Sequence, residues 1–113
     1  MSTSPLSESQ VGGGLFDQLP VPADATTSRV VVSNPLLRVV AFAMDAGQEL
    51  TEHASSRAVV VQMVEGSVEF TVGASGVTTV VAGDVVYLAP GERHALVATT
   101  PTRFTLTMVQ VGE

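Results

Sequence analysis

Gly83-Asp84-Val85-Val86-Tyr87-Leu88-Ala89-Pro90-Gly91-Glu92-Arg93-His94 is the stretch on which the fold turns. Glycine before aspartate forces a turn, because glycine supplies the positive φ that other residues resist. Val85–Leu88 is too short for a helix and is rich in β-branched and aromatic side chains, which marks a short strand. Pro90-Gly91 turns the chain again and hands it to a second strand, His94–Ala98. Turn, strand, turn, strand is the rhythm of an all-β chain.

The same rhythm extends in both directions. Towards the C-terminus, Thr102–Gln110 alternates cleanly, with Phe104, Leu106 and Met108 on one face and Arg103, Thr105 and Thr107 on the other. Towards the N-terminus, Gly73-Ala74-Ser75-Gly76 reads as a hairpin loop between Ser67–Val72 and Val77–Val81. Glu65-Gly66 is a tight turn that ends Ala58–Glu65, an almost unbroken apolar run of the kind covered on both faces. Asp45-Ala46-Gly47 separates Glu49–His53 from Leu36–Met44, in which Arg38, Val40, Phe42 and Met44 share one face. Arg29–Ser33 comes first, closed by Asn34-Pro35. About nine or ten strands at this spacing predict a sandwich or barrel. Residues 1–14, polar and glycine-rich, are expected to form a flexible tail ahead of a single domain over 15–113.

Composition agrees and narrows the functions available. Val occurs 21 times and Thr 12 times among 113 residues, whereas Ile, Lys, Cys and Trp are absent. Two β-branched types above a quarter of the chain favour strands. Five arginines, scattered singly against eleven acids, give a net charge of −6 and leave no basic stripe for nucleic acid or an anionic membrane. Without cysteine there is neither a disulfide framework nor a thiolate site. No apolar stretch approaches the roughly 20 residues of a membrane span, and Met1–Gly14 lacks the pattern of a secretory signal. The expectation is a soluble, cytoplasmic protein with no nucleic-acid or membrane partner.

With Gly47-Gln48-Glu49-Leu50-Thr51-Glu52-His53, and Gly66 thirteen residues after that histidine, the Gly83–His94 block resembles the two signature motifs of the cupin superfamily. The resemblance spans roughly residues 36–110 and implies a double-stranded β-helix, the jelly-roll-like barrel of a small single-domain cupin. It also implies a metal site built from two histidines and a glutamate of the first motif and one histidine of the second. His53 and His94, the only histidines in the chain, take the first and last of these positions. Ser55 stands at the second and Val59 at the glutamate, seven residues before Gly66. The motif proline is displaced, with Ala89 in its place and Pro90 following, and Ala98 stands where an asparagine often closes the second motif.

A catalytic metal usually has three protein ligands, so a third is sought. Glu52 neighbours His53 and points to the opposite face of a regular strand. Glu49 shares the parity of His53 but lies about 13 Å along the strand. Gln62 offers an amide oxygen if a bulge in Ala58–Glu65 turns it inward. The barrel is expected to hold a pocket lined by Phe42, Met44, Val59, Val61, Met63, Tyr87, Phe104 and Leu106, with His53 and His94 at its polar end. Arg57 and Arg93 flank the two histidines, and solvated loop positions are the expectation for both.

Three functions follow. The first is a barrel that binds a small organic molecule, with a divalent metal (Fe, Mn, Zn, Ni or Cu) held weakly between His53 and His94. The second, implied by the resemblance, is a metal-dependent dioxygenase, isomerase or lyase with a reduced ligand set. The third is a degenerate scaffold. The doubly apolar Ala58–Glu65 run, and the habit of small cupins resembling this chain, also lead us to expect a homodimer.

Overall fold

The computed structural model describes residues 3–111. Nine strands make up the regular structure of these residues: β1 Thr26–Ser33, β2 Leu37–Met44, β3 Glu49–His53, β4 Ala58–Glu65, β5 Ser67–Val72, β6 Val77–Val81, β7 Val85–Leu88, β8 His94–Ala98 and β9 Thr102–Val109. They form two antiparallel sheets, β1-β2-β9-β4-β7 and β3-β8-β5-β6, packed face to face as a double-stranded β-helix. β1 starts three residues before the expected Arg29, because Thr26 pairs with Met44 at the far end of β2. No helix of the described residues is long and apolar enough to cross a membrane.

Alternation along the strands builds the core. Phe104, Val61, Met63, Met44, Val68 and Phe70 are all 2% exposed or less, and each reaches the interior from an inward-facing position. Burying a side chain of this size contributes roughly 1.5–3 kcal/mol. Phe42 stacks on Phe104 with ring centroids 5.1 Å apart and planes 10° from parallel. On the other face of β2, Ala41 and Ala43 are buried beneath Leu19, with Leu15, Val21 and Val31 beside them. The lead-in to β1 thus covers the outer face of the five-stranded sheet at β2. Arg103 secures it: Nε donates to the Leu19 carbonyl at 3.0 Å, and the guanidinium lies 5.1 Å over Phe16 and pairs with Glu65. Residues 3–14 follow β1, where Ser4 N–H donates to Ser33 at 2.9 Å and the Arg29 guanidinium reaches the Gly13 carbonyl.

The turn between β4 and β5 shows why a glycine stands there. Gly66 has φ +89°, and a Cβ at that position would run into the Pro101 carbonyl oxygen and Thr102 Oγ1. Both constraints point to glycine.

Candidate metal and ligand site

Short connections place the functional end of the barrel. Residues 54–57 link β3 to β4, and residues 89–93 link β7 to β8, each crossing from one sheet to the other at the same end. The two connections are tied together where the amide of Gly91, at φ +83°, donates to the Ser55 carbonyl at 2.7 Å. At this end the last inward row of the four-stranded sheet is His53, His94 and Val72. The last inward row of the facing sheet is Arg38, Met108, Val59 and Leu88.

His53 reaches its row through a bulge. Leu50 pairs with Leu96 and His53 with His94, so three steps along β3 match two along β8. Regular pairing would place Glu52 opposite His94; the extra residue shifts His53 into that position. Glu52 turns outward instead and pairs with Arg93 at 3.2 Å, both side chains more than half exposed. The bulge also changes the parity expected for Glu49. It pairs with Val97 on the outer face, and Leu50 shares the inner face with His53.

The two imidazoles meet edge to face, with ring centroids 4.2 Å apart and Nε2 atoms 3.1 Å apart. Each Nδ1 faces a backbone carbonyl: Thr51 at 2.8 Å for His53, and Glu92 at 3.0 Å for His94. A carbonyl only accepts, so each Nδ1 carries the proton and donates, which leaves each Nε2 with a bare lone pair. Two bare lone pairs at this separation repel unless a proton or a cation lies between them. A shared proton is disfavoured at His94. The residue is 5% exposed, and burial holds its pKa below the usual histidine value, helped by the His53 charge and opposed by the carbonyl and carboxylate of Glu92.

The donor chemistry suits a divalent ion. Two imidazole nitrogens bound at right angles to one metal, each about 2.1 Å from it, lie about 3 Å apart. Anchoring Nδ1–H on a carbonyl is the usual support for a ligating histidine. Among the described residues no third His, Asp or Glu joins the pair. Val59, 2% exposed, is packed into the core where the motif glutamate would stand.

Two expected site residues lie elsewhere. Gln62 is exposed, and its pairings with Val85 and Thr105 continue those of Val61 and Met63 without a shift, so no bulge turns it inward. Tyr87 pairs with Val60 on the outer face and is 63% exposed, so it does not line the interior. Phe42, Met44, Val59, Val61, Met63, Phe104 and Leu106 face inward as expected, but they pack against one another. No pocket opens among the described residues, because these side chains fill the space between the sheets. What remains accessible is the mouth, where His53 is exposed above His94. Arg38 faces the same mouth. Its alternation with Val40, Phe42 and Met44 is the sequence signal for that orientation.

The family model for the cupin domain matches residues 40–110. No curated protein matches the chain in sequence. Among solved structures, the chain is similar to a conserved protein of unknown function from Streptococcus pyogenes: 25% identity over 100% of this chain and 98% of that one, TM-score 0.82. An RmlC-like cupin from Shewanella frigidimarina is 22% identical over 87% and 90% of the two chains, TM-score 0.73. An RmlC-like cupin with a double-stranded β-helix fold from Methanocaldococcus jannaschii is 14% identical over 89% and 90%, TM-score 0.74. With the family pattern matched over most of the chain, and its barrel formed by these strands, this protein belongs to the cupin family.

Proposed function

We propose that the chain is a small-molecule-binding cupin in which His53 and His94 hold a divalent metal weakly, through Nε2, at the open end of the barrel. The observation that carries this reading is the pair of Nε2 atoms 3.1 Å apart with both Nδ1 atoms anchored on carbonyls. Among the described residues only two protein ligands are on hand, so affinity is modest and the remaining positions are open to water and to an organic ligand. When bound, a divalent ion supplies Lewis acidity to an oxygen of that ligand. The protein's own part is to fix both imidazoles in the Nδ1–H tautomer, to keep His94 neutral by burial, and to cover one side of the site with Val72, Val59 and Met108.

The filled interior favours a second reading, a scaffold whose barrel binds nothing. Metal uptake separates the two. Protein purified without a histidine tag and reconstituted with Ni(II), Zn(II), Mn(II), Fe(II) or Cu(II) is expected to take up close to one equivalent of at least one ion. His53→Ala and His94→Ala are each expected to lose it. Uptake below about a tenth of an equivalent for every ion sinks the metal reading and leaves the scaffold. Full retention by His53→Ala places the metal elsewhere.

A further inference from the structure

Arg38 is an arginine on the inner face of a barrel, and nothing yet described accounts for it. Its Cα pairs with Met108, and β2 runs against β9 without a register shift, so Arg38 shares the face of Phe42 and Met44. It therefore belongs to the last inward row of the five-stranded sheet, across the mouth from the row that holds His53 and His94. The other arginines that carry contacts are engaged: Arg29 with Gln18 and Gly13, Arg93 with Glu52, Arg103 with Glu65 and Leu19. The Arg38 guanidinium has no hydrogen-bond or ion-pair partner among the described residues, and its Nε is buried without one. A buried, unpaired N–H of a permanent cation is costly, and unlike Arg29, whose Nε is also unpaired but whose terminal nitrogens reach Gln18 and Gly13, the Arg38 guanidinium has no such contact to offset that cost. Arg38 as a whole stays partly exposed, which leaves a partner from outside a way in.

The chemistry of the partner follows from the charges at the mouth. Arg38 is cationic, the two histidines contribute no negative charge, and Val59 and Met108 between them are apolar. The nearby carboxylate of Glu52 is turned outward onto Arg93. A guanidinium presents a planar fork of donors that matches a carboxylate in a bidentate arrangement.

We infer that Arg38 anchors a carboxylate, so that the ligand of this barrel is a small organic acid held between Arg38 on one sheet and the His53–His94 pair on the other. This deepens the proposed function and rests on it only in placing the ligand at this mouth. The test is titration of the full chain with acetate, pyruvate, oxalate and succinate, and with acetamide and oxamide as uncharged counterparts. Binding is followed by NMR shifts in both the metal-free and the Ni(II)-loaded protein.

At least one acid is expected to bind the wild type more tightly than the amides. Arg38→Met is expected to weaken that binding at least about tenfold, the loss typical of a charged hydrogen-bonded contact, and Arg38→Lys to retain part of it. Ni(II) uptake by Arg38→Met is expected to equal that of the wild type, which shows that the variant is folded and its histidine pair intact. If that variant fails to fold, Arg38→Gln takes its place. Equal binding of the acids by wild type and variant overturns the inference, and so does the absence of binding by every acid in both states. If the wild type takes up none of the five divalent ions, the metal reading fails by itself, and the metal-free titration still decides the role of Arg38.

Discussion

His94 is the residue at which burial and chemistry meet. The ring lies 6.3 Å from Phe70, roughly parallel to it, and its Nδ1 is spent on the Glu92 carbonyl. Burial lowers its pKa from the ordinary value of 6.5, so the unfolded chain takes up a proton more readily than the folded one. The stability that His94 contributes is therefore complete above pH 6.5 and is lost as pH falls from there through the lower folded value. In chelator-treated protein the melting temperature is expected to drop between pH 7.5 and pH 5 by more in the wild type than in His94→Asn, which lacks this titration. Equal drops in the two proteins contradict the assignment. Residue identity at the site was half legible in the sequence. The GD…PG..H block located His94 and its flanking turns, and the alternation of β2 set Arg38 on the face of Phe42 and Met44, though its place at the mouth was not read from it. What no residue reveals is that Tyr87 faces out. In a strand apolar on both faces, alternation does not say which face is the core, and here Val86 and Leu88 have it.

Strand β3 shows why the rest of the site was hidden. Regular alternation places Glu49 with His53 and sets Glu52 apart from both, whereas the bulge across Thr51 and Glu52 puts Leu50 and His53 on the inner face together. A bulge is a mismatch in pairing between two strands, and β8 is more than forty residues downstream, so β3 alone carries no mark of it. The same reasoning disposes of Gln62, since its neighbours in β7 and β9 leave no mismatch to turn it inward. Moving the imidazole back one position, as Glu52→His with His53→Ala, carries it to the outer face and leaves no donor at position 53. This double variant is expected to lose metal uptake as fully as His53→Ala, with its circular dichroism unchanged. Uptake at the wild-type level indicates that the bulge does not fix which side chain faces His94.

At the scale of the molecule, the outer face of the five-stranded sheet is unequally covered. The lead-in around Leu19 shields Ala41 and Ala43, while at the other edge of the same sheet Val85 and Tyr87 on β7 are 61% and 63% exposed beside Val60. An edge strand with exposed apolar side chains is a ready surface for a second chain. A homodimer through this edge is the expectation, and light scattering is expected to find a dimer for the wild type and a monomer for Val85→Arg with Tyr87→Glu. A dimer that survives both substitutions locates its contact elsewhere. The architecture itself was the most legible level, because valine-rich strands cut by glycine turns leave few alternatives to a two-sheet barrel. How tightly its interior is filled was not, because the stacking of Phe42 on Phe104 depends on the spacing of strands far apart in sequence. The central claim is that His53 and His94 together hold a metal, and pulsed EPR of the tag-free, Cu(II)-loaded chain tests it by counting coordinated imidazoles. Two are expected in the wild type, and no bound copper in either single alanine variant; a wild-type count below two, or a count that neither substitution changes, contradicts it.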